Sequence, residues 1–120
     1  PLYKISLQRE VFSQNGAAYI IAEENDTFAR IAREYNLFTR ELLSFNDCHK
    51  DRQLSKGDRV YIEKKRKYAR KHLDKHVVEE GETLYSISQN YGIRLKSLRK
   101  INNFSNVNEP EAGSIIKLRK

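Results

Sequence analysis

A 120-residue chain with one cysteine, Cys48, has no internal disulfide and no four-thiolate metal site. No apolar run is long enough for a membrane-spanning helix. The net charge of +7 invites a polyanion partner, but most of it lies in one place: residues 63–75 carry +5, whereas 20–62 carry −1 and 76–118 carry none.

In chain order, Asn15-Gly16 between residues 11–14 and 17–21 predicts a β-hairpin, because a type I′ turn needs two residues that tolerate positive φ. A strand over 19–22 then gives way to a polar turn at 23–26. Thr27 is placed to cap a helix whose Phe28, Ile31, Ala32 and Tyr35 form one apolar stripe. Asn36 suits a left-handed helix end. Thr39 is expected to cap a second short helix that faces Leu42, Leu43 and Phe45 inward. A polar loop, 46–58, leads to a strand at 59–62. The plan then recurs: a strand at 77–79, a turn at Gly81, a helix from Thr83 presenting Leu84, Ile87, Ser88 and Tyr91, and a left-handed stop at Gly92. A second helix lined by Leu95, Leu98 and Ile101 and a strand at 115–118 follow.

The recurrence is a gapless self-match. Residues 20–62 shifted by 56 positions fall on 76–118, with identities at Glu23/Glu79, Glu24/Glu80, Thr27/Thr83, Ile31/Ile87, Tyr35/Tyr91, Leu42/Leu98, Asn46/Asn102 and Gly57/Gly113. The expected fold class is α+β. Two βααβ repeats, each a two-stranded antiparallel sheet on a helix pair, follow an N-terminal β-hairpin extension. The expected organisation is 1–18 extension, 19–63 repeat 1, 64–75 basic linker and 76–120 repeat 2.

The residues EENDTF at 23–28 and EEGETL at 79–84, IAREYNL at 31–37 and ISQNYGI at 87–93, and ELLSFND at 41–47 and SLRKINN at 97–103, with Gly57 and Gly113, resemble the LysM domain in order and spacing. The resemblance covers both repeats. It implies a non-catalytic module that binds polymers containing N-acetylglucosamine, peptidoglycan foremost and chitin-type glycan as the alternative. It also implies the groove. In repeat 2 this is Gly81, Glu82, Thr83 and Leu84 facing Phe104, Ser105, Asn106, Val107 and Asn108. In repeat 1 it is Asn25, Asp26, Thr27 and Phe28 facing Lys50, Arg52 and Leu54. Repeat 2 keeps the turn glycine that Asn25 replaces in repeat 1. The whole chain also resembles the C-terminal region of Bacteroidetes cell-wall glucosaminidases or amidases, which implies export to the cell envelope and targeting of an attached enzyme. The chain opens at Pro1 with no leader and reads as a fragment or mature region. No cofactor, specific nucleic acid or membrane insertion is expected, and a monomer is.

An acetamido sugar offers an amide, hydroxyls and a methyl group, all of which uncharged loops can satisfy. Other readings compete at particular residues. Tyr35 and Tyr91 fit core packing better than sugar stacking, and Asn46 and Asn102 fit side-chain support of the following loop. Cys48 reads as a small apolar filler. His72 and His76 are four apart, but no third metal ligand accompanies them. The run KKRKYARKHLDK at 64–75 reads as a solvated connector. Its alternative is binding of nucleic acid or another polyanion through lysine and arginine. The carboxylates at 23–26 and 79–82 sit on exposed turns, not on opposed walls of a cleft as glycosidases require.

Overall fold

A computed structural model describes residues 9–120; the earlier part of the predicted extension, including Pro1 and Tyr3, lies outside the described residues. The elements are β1 (Phe12–Gln14), β2 (Ala17–Ile21), α1 (Phe28–Glu34), α2 (Thr39–Phe45), β3 (Arg59–Tyr61), β4 (Lys75–Val77), α3 (Leu84–Tyr91), α4 (Leu95–Ile101) and β5 (Ile115–Lys117). Mixed α+β architecture follows: an antiparallel sheet β1-β2-β3 with α1 and α2, and an antiparallel pair β4-β5 with α3 and α4.

The two βααβ units are built alike down to single hydrogen bonds. Ile20 pairs with Val60 as His76 pairs with Ile116, one period later. Thr27 and Thr83 each cap the first helix, their hydroxyls accepting from the Arg30 and Ser86 amides. Those bonds satisfy amides that the helix itself leaves free. Asn36 and Gly92 end these helices at φ 59° and 69°. The Gly57 and Gly113 amides donate to the carbonyls of Ala22 and Val78 at 2.9 and 2.7 Å. Phe28, Ile31 and Leu42 fill one core, and Leu84, Ile87 and Leu98 fill the other.

Several expectations shift. The first strand of the second unit is Lys75–Val77, not 77–79, because the Glu79 amide turns away to donate to the Glu82 carboxylate. Phe38, not Thr39, occupies the cap position of α2. Its amide donates to the Glu41 carboxylate, the reciprocal half of a capping box, and no side chain makes the bond a capping hydroxyl would make. The hairpin covers one edge of β2, as its sequence implies, with Asn15 and Gly16 at φ 56° and 78°. Its tip also reaches the second unit, where Asn15 donates to the Tyr68 and Gly92 carbonyls.

The basic connector departs most from expectation. It is neither helical nor wholly solvated: Lys65 is 2% exposed and Ala69 packs in the second core. Arg66 and Ile93 form a parallel bridge, reinforced by Arg94 N–H donating to the Arg66 carbonyl at 2.8 Å. The Lys65 ammonium donates to Asp47 at 2.5 Å and Gln89 at 2.6 Å. A buried ammonium costs several kcal/mol unless paired, so these two acceptors determine where the connector lies. Burial pulls the Lys65 pKa down, against the Asp47 carboxylate that raises it.

Candidate functional site

In the second unit, the loop before α3 and the loop after α4 converge. Gly81 stands at φ 85°, with no atom within 4 Å of where a Cβ would be, so the turn is open to solvent. Thr83 is exposed and spends its hydroxyl on the helix cap. Leu84 is fully buried, and its amide donates to Glu109 at 2.8 Å. Glu82 accepts from the Glu79 amide and from His76 Nε2, both at 2.7 Å. Although burial opposes it, these donors hold the Glu82 carboxyl below its usual range. The other ring nitrogen of His76 meets the Tyr91 hydroxyl at 2.8 Å, so both residues belong to the framework behind the loop.

The facing loop is organised by one side chain that sequence reasoning did not single out. Arg99 donates to the carbonyls of Ser105 and Asn108 at 2.8 and 2.7 Å and pairs with Glu109 at 3.1 Å. Glu109 in turn holds the Leu84 amide, so Arg99 and Glu109 set the spacing of the two loops. Nothing distinguishes Arg99 in sequence from its basic neighbours on α4; only the loop it folds under does. Ser105 donates to the Asn108 side chain at 2.5 Å, which tightens the loop tip. Phe104 is partly buried against the core, while Val107 stands 87% exposed.

In the first unit the corresponding residues are tied together. The Leu54 amide donates to the Asp26 carbonyl at 2.8 Å, and Thr27 bridges to Gln53. Gln53 also donates to Asn25, and Asp51 accepts from the Phe28 amide. The residue one period after Leu54 is Pro110, which has no amide hydrogen, so the second unit cannot make the equivalent closing bond.

Phe28 and Leu54 are core residues, 1% and 4% exposed. Asp26 is 3% exposed and held by Arg9 at 2.9 and 3.1 Å, a fork that also grips Glu34. Burial raises the Asp26 pKa, but Arg9 and the Glu23 amide outweigh it and hold the carboxyl low. Of the predicted first-unit set, Asn25, Lys50 and Arg52 are exposed. Arg52 stands 5.5 Å from the Phe28 ring.

Between the units lies a cleft of about 890 Å³. Cys48 and His49 stand on one wall and Phe104 and Asn106 on the other, so the second loops of both units border the same space. Cys48 is partly buried against the first core, as a small filler would be, and its sulfur lies 3.6 Å from the Tyr85 hydroxyl. Among the described residues no group of three or more His, Cys, Asp or Glu is placed to hold a metal ion.

Each unit is a small βααβ module whose two loops meet at one end, and on those of the second unit Gly81, Thr83 and 105–108 stand exposed between the carboxylates of Glu79, Glu80 and Glu109. Residues 76–119 match the family model described as LysM domain. LysM domains bind glycans containing N-acetylglucosamine, such as peptidoglycan or chitin, and are binding modules with no catalytic role. No curated protein matches the chain. Among solved structures, it is similar to the crystal structure of the Bacillus cereus spore cortex-lytic enzyme SleL, at 24% identity and a TM-score of 0.36. That match covers 85% of this chain and 22% of the enzyme's, so the chain spans under a quarter of that protein's length. No helix among the described residues is long and apolar enough to cross a membrane.

Proposed function

We propose that this chain is a cell-envelope glycan-binding module whose main site is the groove between residues 81–84 and 104–108. Its ligand is a polymer containing N-acetylglucosamine, with peptidoglycan ahead of chitin-type glycan. The observation that carries this reading is the LysM match at 76–119, over a unit whose loops are joined through Arg99 and Glu109 but lack the backbone bond that Leu54 makes to Asp26 in the first unit. Gly81 admits close backbone approach, the loop backbone and the Asn106 amide supply hydrogen bonds, and Phe104 and Val107 supply apolar surface for an acetamido methyl.

The first unit is read as a second LysM-like repeat. Its groove, at Asn25, Asp26, Thr27, Phe28, Lys50, Arg52 and Leu54, contributes a weaker contact, because the bonds that close it must open first. Two weak sites on one polymer raise retention through effective concentration. Export, domain limits at 19–63 and 76–120, and service to an attached cell-wall hydrolase complete the proposal.

Sedimentation with insoluble peptidoglycan tests it. Val107→Asp places a charge on an 87%-exposed side chain, and Gly81→Asn installs the residue of the first unit without forbidding its φ. Each is expected to weaken retention by about tenfold, equivalent to about 1.4 kcal/mol. Retention unchanged in both would overturn the groove.

A further inference from the structure

A second surface of the same unit carries a different chemistry. The Arg66–Ile93 bridge lays residues 67 and 68 against the start of α4, and β5 runs along its other side. The result is a groove of about 600 Å³ lined by Lys67, Arg94, Lys96, Lys100, Lys117 and Lys120. No acidic side chain lines it. Among the described residues, none of these six cations forms an ion pair.

The fold does not require this charge. One period earlier, the positions of Arg94, Lys96, Lys100, Lys117 and Lys120 hold Phe38, Arg40, Ser44, Tyr61 and Lys64, and Glu41 stands where Ser97 lines the groove. The same βααβ frame therefore stands with two cations and an acid there. At its N-terminus the charge also works against α4. Arg94 stands at the N-cap position without a side-chain cap bond and Lys96 in the first turn, where the helix dipole disfavours cations, whereas Lys100 in the last turn is favoured by it. Lys96 and Lys100 repel one another across one turn. A concentrated, unpaired, locally unfavourable charge is the footprint of an anionic partner.

We propose that this groove binds a linear phosphodiester polymer by its backbone alone. The lining offers phosphate contacts from lysine and arginine but almost nothing to read a base: Ser97 is its one neutral hydrogen-bonding side chain apart from the Tyr68 phenol, and Tyr68 its one aromatic ring. Single-stranded nucleic acids are held through successive aromatic platforms on which bases stack. A base-free phosphate polymer fits the groove better. Lys96 and Lys100 also face the cleft that Phe104 borders, so such a polymer would lie beside the glycan groove without occupying it. The inference does not rest on sugar binding.

Binding of a poly(glycerol phosphate) chain to the 120-residue protein, followed by fluorescence anisotropy between 50 and 200 mM salt, tests it. With four to six phosphate contacts, affinity is expected to fall roughly 50- to 300-fold over that range. Lys96→Gln/Lys100→Gln/Lys117→Gln, all exposed, should lower the logarithmic salt slope by about 2. Lys50→Gln/Lys56→Gln/Arg30→Gln, equally exposed but outside the groove, should leave it within a fraction of one. Equal losses in the two triple variants would overturn the site in favour of diffuse charge. Tighter binding of single-stranded DNA of equal charge would overturn the base-free ligand. N-acetylglucosamine oligomers at saturation should leave the phosphate affinity unchanged, and competition between them would place both ligands in one groove and refute a separate site.

Discussion

Asn46 and Asn102 end the second helices of their units, and each amide side chain does the same threefold task. Asn102 donates to the Leu98 and Lys117 carbonyls and accepts from the Lys117 amide; Asn46 does so with Leu42 and Tyr61. They fasten the last strand to the helix pair. The sequence led to the expectation that they steady the following loop, and the structure moves that role to the strand fifteen residues on. Asn102→Ala should cost about 1–3 kcal/mol, since it strands polar groups of β5; urea unfolding gives the figure. Asp26, gripped by Arg9, contributes to the acid sensitivity alongside Glu82. Because the folded pKa of Asp26 is held below its unfolded value, its contribution is present above that unfolded value and is lost as pH falls through the folded one. Asp26→Asn should therefore remove about 2 kcal/mol near neutrality, since Glu34 still holds Arg9, and should flatten stability across the acid range below the ordinary carboxylate pKa. Thermal melts across that range would show an unchanged slope if Asp26 is not the group.

At the scale of elements, caps and turns were legible because their chemistry is local. Thr27, Thr83, Asn36, Gly92 and the Asn15-Gly16 turn announce themselves through side chains that bond or free their own backbone. What caps α4 was not legible, because the partner is distant: Arg94 makes no side-chain cap bond, and the Leu95 amide donates to Asp47 in the other unit at 3.1 Å. Gly92 shows both kinds of constraint. Its φ of 69° could be predicted, but a Cβ there would come within 2.7 Å of the Gln14 carbonyl, a contact made only by folding. Gly92→Ala is expected to destabilise by more than about 2 kcal/mol, combining the left-handed penalty with displacement of the hairpin. Gly113→Ala, at φ 87° in open space, should cost only about 1 kcal/mol. Equal costs in denaturant titrations would refute the close hairpin contact.

For the whole molecule, the connector makes one body of the two units. Asp47 receives Lys65 and the α4 amide, Lys65 reaches Gln89, Gln89 donates to Asn46 and to the Arg59 carbonyl, and the Tyr61 hydroxyl donates to the Gln89 carbonyl at 2.5 Å. Burial pushes the Tyr61 phenol up to about 12. No periodicity marks which lysine in a basic run turns inward, so the sequence offered a solvated linker where the structure has a lock. Lys65→Ala leaves Asp47 and Gln89 facing a void. It should cost about 3–5 kcal/mol and split the unfolding transition in two, as followed by calorimetry. A single transition at the original temperature would deny the lock.

Holding the units rigidly matters only if the open loops of the second one take a ligand. The most direct test is an amide-resolved NMR titration of this chain with N-acetylglucosamine oligomers and soluble peptidoglycan fragments at two salt concentrations. Shifts concentrated at residues 81–84 and 104–108, nearly independent of salt and weaker at 25–28, are the predicted result. No shifts with any of these sugars, or shifts confined to residues 64–75 and abolished by salt, would contradict it.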